Sequence, residues 1–260
     1  MDLGLQDKGI IITGGSKGIG FSIAAACAKE GAWVSICGRT QSSLDEAAEK
    51  LKVHGGKVHT AVCDIGEADA IAAYVDAAAS ALGGLYGLVN NPSGFGNSDN
   101  EDGWQKGIDI DLMGVVRTTW AATPHLKANG GGSILNISSI SGLAASGNIS
   151  YGAVKAAVIQ LTQSHAKAMA ADNIRVNCIA PGSIEFPDGV WDQVKKNMPA
   201  MYDATLTGIP FGRMGLPEEV GNVAAFFNVT QDNTGTVTIT PNGDGVNDIW
   251  KLPFTDGINE

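Results

Sequence analysis

The chain of 260 residues reads as a single α/β domain, a doubly wound parallel β-sheet with helices on both faces. Three observations predict it. Short apolar runs without polar alternation recur along the chain, as strands buried on both faces require. Longer amphipathic runs separate them, with the length of a crossover helix between parallel neighbours. A glycine-rich turn from Thr13 to Gly20 joins the first strand to the first helix, and the 35 glycines of the chain suit many tight passages of that kind.

The elements follow in order. Gly9 to Thr13 is the first strand, built on three consecutive isoleucines, and Ile19 to Glu30 is an Ala-rich helix. Trp33 to Cys37 and Val58 to Cys63 are strands, with helices around Ser43 to Val53 and over Ala68 to Leu82. Leu85 to Asn90 is the fourth strand; after a polar loop, Trp104 to Leu126 forms one long helix. Ser133 to Ile137, Tyr151 to Ala171 and Ile174 to Ile179 continue the pattern as strand, helix and strand. Right-handed crossovers between these strands place a ligand crevice at their carboxyl ends. No repeat or linker interrupts the chain before about residue 228, so residues 1–230 form the domain and 231–260 an atypical C-terminal tail.

Bulk properties exclude several classes. A formal net charge of −10 with no Lys/Arg-rich run repels nucleic acid. Cys27, Cys37, Cys63 and Cys178 stand singly in apolar stretches, as buried reduced thiols rather than metal ligands. The N-terminus carries no basic-then-apolar signal, and no apolar run approaches the ~18 residues of a membrane span. A cytoplasmic protein with no membrane partner is expected.

In Thr13-Gly-Gly-Ser-Lys-Gly-Ile-Gly20, the glycines Gly14, Gly18 and Gly20 let the backbone approach a pyrophosphate, whose charge meets the helix N-terminus. The second strand ends Cys37-Gly38-Arg39-Thr40, with no carboxylate to accept from a ribose 2′-hydroxyl. Arg39 offers a forked cation for a 2′-phosphate instead, and Lys17 adds a second charge, so NADP(H) is favoured over NAD(H). Further on, Tyr151 and Lys155 lie one helical turn apart behind the serines Ser138 and Ser139. A phenol, with its reference pKa near 10, needs a neighbouring cation to exchange a proton at neutral pH. The set describes reduction of a ketone or its reverse.

These residues resemble the short-chain dehydrogenase/reductase family over roughly residues 5–228. The resemblance is carried by the glycine turn, Asp64, Asn90-Asn91-Pro92-Ser93-Gly94, Asn136-Ile-Ser-Ser139, Tyr151-Gly-Ala-Val-Lys155 and Ile174-Arg-Val-Asn-Cys-Ile-Ala-Pro-Gly182, in family order. It implies a Rossmann-type fold, a nicotinamide cofactor and hydride transfer at a carbonyl or alcohol carbon. It also implies that Gly14, Ser16, Lys17, Gly18, Ile19 and Gly20 contact the pyrophosphate and ribose, and that Asp64 and Ile65 bracket the adenine. Asn90 and Gly94 then lie by the ribose, and Pro181, Gly182 and Ile184 flank the nicotinamide. Tyr151 is the acid/base, Lys155 tunes it and holds the nicotinamide ribose, and a serine orients the carbonyl. Counting to Gly142 favours Ser139 for that role, while counting back from Tyr151 favours Ser138; Ser139 is preferred. The helices around Trp104–Leu126 and Tyr151–Ala171 are expected to pair subunits, in a homodimer or homotetramer.

The chain departs from the family in three places. Asp111 stands where Asn is usual; a carboxylate there favours the Lys155 ammonium but opposes a tyrosinate. Pro92 replaces the usual Ala and removes a backbone donor. After Phe227, Thr236 to Thr240 can form a strand, but Thr240 to Trp250 resembles the opening of a bacterial cell-surface sorting domain. Its Asn242, Asp244, Asn247 and Asp248 are read as solvated turns ahead of a Ca²⁺ site, so no metal is expected. Ser183 to Pro210 forms a lid whose Trp191, Met198, Met201 and Tyr202 face either a partly hydrophobic substrate or the lid's own core. No cationic cluster suggests a carrier-protein or coenzyme A partner. The first reading is an NADP(H)-dependent carbonyl reductase or alcohol dehydrogenase; the second is a nucleotide-binding scaffold that has lost turnover.

Overall fold

Ile10, Ile11 and Ile12 are each fully buried, Ile10 and Ile12 in one apolar layer and Ile11 in the other. Alternate residues of a strand face opposite ways, so both faces here are covered. Each such side chain contributes about 1.5–3 kcal/mol by leaving water, which is why runs of this kind cannot sit on a solvated sheet. The computed structural model describes residues 3–145 and 147–228, and the backbone of 236–239.

The strands are β1 (Gly9–Ile12), β2 (Trp33–Gly38), β3 (Val58–Val62), β4 (Gly87–Asn90), β5 (Gly132–Ile137), β6 (Ile174–Pro181) and β7 (Thr236–Ile239). They form one parallel sheet in the order β3-β2-β1-β4-β5-β6-β7. Helices α1 (Gly18–Lys29) and α2 (Gln41–Lys52), with α9 (Pro217–Phe227), cover one face through Ile23, Leu44, Leu51, Val220 and Phe227. Helices α3 (Ala68–Leu82), α5 (Met113–Ala128) and α6 (Ile149–Met169) cover the other through Ile71, Tyr74, Leu126 and Ala166. Short helices α4 (Glu101–Lys106), α7 (Val190–Asn197) and α8 (Pro199–Thr207) lie in the connections that follow β4 and β6. The doubly wound α/β prediction holds, and the strand order reverses between β1 and β4, the switch point at whose carboxyl ends sheets of this kind bind ligands.

Two boundaries differ from the sequence reading. The long helix over Trp104–Leu126 is instead α4, a π-helical turn at Gly107–Leu112, and α5. Helix α4 begins early because the Asn100 side chain accepts from the Gly103 N–H at 2.9 Å, capping it. The π turn inserts an extra residue and re-aims Asp111 inward, as such turns do where a side chain must be placed. The tail's expected strand forms as β7, paired with β6 from Cys178 to Pro181; Asn242, Asp244, Asn247 and Asp248 lie outside the described residues. All four cysteines are free and buried, and burial pushes the Cys27 thiol up to about 12. Among the described residues no His/Cys/Asp/Glu group could hold a metal ion, and no helix is long and apolar enough to cross a membrane.

Candidate active site

At the switch point the chain leaves β1 through a turn that only glycine suits. Gly14 and Gly18 have φ of +62° and +54°, in the left-handed region that side chains disfavour. A Cβ on Gly20 would lie 2.2 Å from the Gly14 carbonyl oxygen, so α1 packs directly on the turn. Helix α1 then opens with no side-chain cap from Lys17 and no acidic residue in its first turn. Its first N–H groups and its dipole are left for an anion. Asn91 joins β4 to this turn: its N–H donates to Thr13 Oγ1 at 2.9 Å, and its Nδ2 donates to the Gly14 carbonyl at 3.3 Å.

Ser16 sits against the end of β2, its Oγ 3.2 Å from where a Cβ of Gly38 would stand. Arg39 and Lys17 are both exposed, and among the described residues neither has an ion-pair partner. Asp64 is exposed at the end of β3 and accepts from the Gly66 N–H at 2.9 Å. Ile65 is buried and packs on α5, where a Cβ on Gly114 would meet its Cγ2 at 2.4 Å. Asn90, expected to lie by the ribose, closes β4 at the switch point. Its side chain is fully buried, accepting from Thr118 Oγ1 at 2.7 Å and donating to Asn136 Oδ1 at 2.9 Å and Thr119 Oγ1 at 3.2 Å. A side chain so engaged holds β4, β5 and α5 together, which leaves the backbone of Asn90 as the part that can face a ligand.

Tyr151 and Lys155 project from the first turns of α6. The Lys155 ammonium lies 5.5 Å from the centre of the Tyr151 ring and is 2% exposed. It donates to the carbonyls of Ile137 at 3.2 Å and Pro92 at 3.4 Å, and faces Asp111 Oδ1 at 3.0 Å. Asp111 is fully buried, and its other oxygen accepts from the Gly94 N–H at 2.7 Å. The substitution that stood out in the sequence is therefore a buried ion pair, and Gly94 serves the carboxylate through its amide. Burial is the largest influence on Lys155 and opposes its charge. Tyr151 and Asp111 together outweigh it and hold the ammonium above its ordinary value.

The two serines part company. Ser138 is buried and its Oγ donates to the Lys155 carbonyl at 2.8 Å, bracing α6 against β5. Ser139 is half-buried, caps the short turn at Ile140–Gly142 and accepts from the Ser141 N–H at 3.2 Å. Among the described residues its own hydroxyl proton has no hydrogen-bond acceptor.

Beyond β6, Pro181 is buried, Gly182 half-buried, and Ile184 pairs with Gly215 in an isolated parallel bridge. The lid keeps a small core of its own, with Val194, Tyr202 and Met214 buried and Trp191 packed against them. Tyr202 donates to Glu185 Oε2 at 2.7 Å. Of the four lid side chains singled out by sequence, Trp191 and Tyr202 thus belong to packing, while Met198 and Met201 are 50% and 52% exposed.

Three contributors were missed by sequence reasoning. Asn91 was quoted without a role, the Ser150 hydroxyl donates to the Gly96 carbonyl at 2.6 Å to tie the loop after β4 to α6, and the tip of the Phe186 ring presses on Gly18. The doubled Asn90-Asn91 was the one available signal. Ser150 and Phe186 make contacts across the fold that no local pattern announces.

A doubly wound sheet with an uncapped helix end at its switch point, and a phenol beside a buried ammonium nearby, defines an oxidoreductase built for a nucleotide. The profile of the family described as short chain dehydrogenase matches residues 8–197. The chain belongs to the short-chain dehydrogenase/reductase family. A 3-oxoacyl acyl-carrier-protein reductase of Chlamydia muridarum is 36% identical over 250 residues, covering 92% of this chain and 98% of the relative. The crystal structure of L-sorbose reductase from Gluconobacter frateurii, complexed with NADPH and L-sorbose, superposes with a TM-score of 0.84 at 30% identity, covering 93% and 98% of the two chains. A 7α-hydroxysteroid dehydrogenase complexed with NADH gives 0.86 at 30% identity, covering 95% and 97%.

Proposed function

We propose that the protein is an NADP(H)-dependent oxidoreductase that interconverts a ketone and a secondary alcohol. The observation that carries this reading is the Tyr151–Lys155 pair, the ammonium buried one turn below the phenol at the carboxyl edge of the sheet. The uncapped N-terminus of α1, with its glycine cradle, fits a pyrophosphate, and Gly14, Ser16, Lys17, Gly18, Ile19 and Gly20 would hold it. Asp64 and Ile65 would border the adenine, the Lys155 ammonium would reach the nicotinamide ribose, and Pro181, Gly182 and Ile184 would flank the nicotinamide. When bound, the dinucleotide supplies or accepts the hydride.

The chain's own residues handle the proton. Tyr151 donates its phenolic proton to the carbonyl oxygen in reduction and withdraws it from the alcohol in oxidation. Lys155, held charged, steadies the phenolate that remains. Ser139 donates to the same carbonyl oxygen and fixes its direction. Ser138 is spent on the Lys155 carbonyl, which supports Ser139 for that role. Ser139→Ala is expected to lower kcat by about 10²-fold. Ser138→Ala should show up mainly in thermal stability; a larger loss of turnover at Ser138 would reverse the assignment.

The preference for NADPH rests on Arg39 just after β2 and Lys17 in the glycine turn, both exposed and, among the described residues, without a carboxylate partner. A charge-assisted hydrogen bond to a 2′-phosphate contributes about 1.5–3 kcal/mol. Arg39→Ala should therefore raise KM for NADPH about 10–100-fold and leave that for NADH nearly unchanged. Equal losses with both dinucleotides in steady-state assays would remove the argument for NADP(H).

A further inference from the structure

We infer that the substrate is a free, uncharged and largely apolar carbonyl compound or alcohol, and that acyl groups borne on an anionic carrier are disfavoured. The inference rests on the oxidoreductase reading and deepens it. One segment lies against the start of α6 beside Tyr151, and a second lies against the glycine turn. Residues 93–110 are tied to α6 by the Ser150 hydroxyl, which donates to the Gly96 carbonyl at 2.6 Å and the Ser98 carbonyl at 3.1 Å. Residues 183–219 are tied to the glycine turn where the Phe186 ring meets Gly18.

Together these segments hold ten carboxylates and four cations, a net charge of 4 − 10 = −6. Each cation already has a carboxylate: Lys106 with Asp102 at 2.7 Å, Lys195 with Glu185 at 2.9 Å, Lys196 with Asp192 at 2.7 Å, and Arg213 with Glu219 at 2.7 Å. Among the described residues Asp99, Glu101, Asp109, Asp203 and Glu218 form no salt bridge, and Asp188 shares Lys196 with Asp192. Cations nearby offer no replacement. Arg117 donates to the Gly66 carbonyl at 2.9 Å, and Lys167 stands 16 residues, ~24 Å, along α6 from Tyr151.

Between the charges the surface is apolar: Phe95, Ile149, Met198 and Met201 are each 50–58% exposed. Exposed apolar side chains on these segments and at the start of α6 offer burial to a neutral substrate. An unbalanced negative rim slows an anionic one, by up to 10–10³-fold where charges steer the encounter and less as salt screens them. The relative from Chlamydia muridarum is named for a substrate on an acyl carrier protein; the rim of this chain sets it apart from such a partner.

The test holds the reacting carbon constant and varies the charge. The same 3-oxoacyl group is offered as a neutral N-acetylcysteamine thioester, as a coenzyme A thioester and on acyl carrier protein, with NADPH. The neutral thioester should show a kcat/KM about tenfold or more above the other two at low ionic strength. Added salt should raise the rate with the coenzyme A thioester and leave that with the neutral one unchanged. Asp203→Lys combined with Glu101→Lys should raise kcat/KM for the coenzyme A thioester several-fold only. Preference for either anionic form, or a rate that falls with salt, overturns the inference while leaving the oxidoreductase reading intact. Failure to consume NADPH with any thioester or any neutral ketone would sink that reading, and this inference with it.

Discussion

Tyr151→Phe is expected to lower kcat by about 10²–10⁴-fold in both directions while NADPH still binds. The ring and its packing survive the change; the proton does not. Tyr151 is half-buried and its hydroxyl has no protein acceptor among the hydrogen bonds of the described residues, so phenylalanine leaves no buried partner unsatisfied. The loss should therefore fall on turnover and not on melting temperature. Equal turnover in the two proteins would remove the phenol from the reaction and favour a scaffold that binds nucleotide without chemistry.

The second large effect concerns Asp111. Its carboxylate lies 3.0 Å from the Lys155 ammonium, and both groups are buried. The groups facing that ammonium are Asp111 from the π turn, Tyr151 from α6 and the Cys178 thiol from β6, which burial pushes up to about 11. Lys155 is held above its ordinary value of 10.5. Its charge is thus fixed across neutral pH, and the stability it lends to the fold is complete below that value and lost only as pH rises through the raised one. With Asp111 ionised, the pair is neutral, and forming a phenolate adds a second negative charge beside it.

Asp111→Asn leaves a lone ammonium, which favours the phenolate that alcohol oxidation needs. The pH–rate profile for oxidation should move about one unit lower in the variant, and reduction at neutral pH should slow. Asparagine keeps an acceptor for the Gly94 N–H, so folding is preserved better than in Asp111→Ala, which strands a buried charge at a cost of about 3–5 kcal/mol. Superimposable pH–rate profiles for wild type and Asp111→Asn would show that the carboxylate has no part in the proton's route.

The fold was legible because its signal is local and repeated. Three consecutive isoleucines in β1 permit few places other than the middle of a sheet covered on both faces, and the same logic carried β2, β4, β5 and β6. The glycine turn was legible for a similar reason, since a positive φ at Gly14 and Gly18 and contact at Gly20 leave no room for side chains. Where the reading fell short, the cause lay across the fold. The break between α4 and α5 depends on the Asn100 cap and on a π turn that seats Asp111 against Lys155, a partner 44 residues away. That the Asn90 side chain is held by polar groups of α5 and β5 was likewise not legible, because those partners lie 28 to 46 residues away. The choice between Ser138 and Ser139 was balanced in the sequence because spacing alone carries no information on which hydroxyl meets the Lys155 carbonyl. The lid divided in the same way, with Trp191 and Tyr202 drawn into packing and Met198 and Met201 left facing out.

The most direct test of hydride transfer follows the hydride itself. NADPH carrying deuterium at the transferable C4 position is incubated with the protein and a neutral apolar ketone in ordinary water, and the alcohol is analysed by mass spectrometry. One deuterium should appear at the carbinol carbon, and the yield should collapse in Tyr151→Phe. Tight NADPH binding with no labelled alcohol from any ketone, unchanged by Tyr151→Phe, would contradict the account.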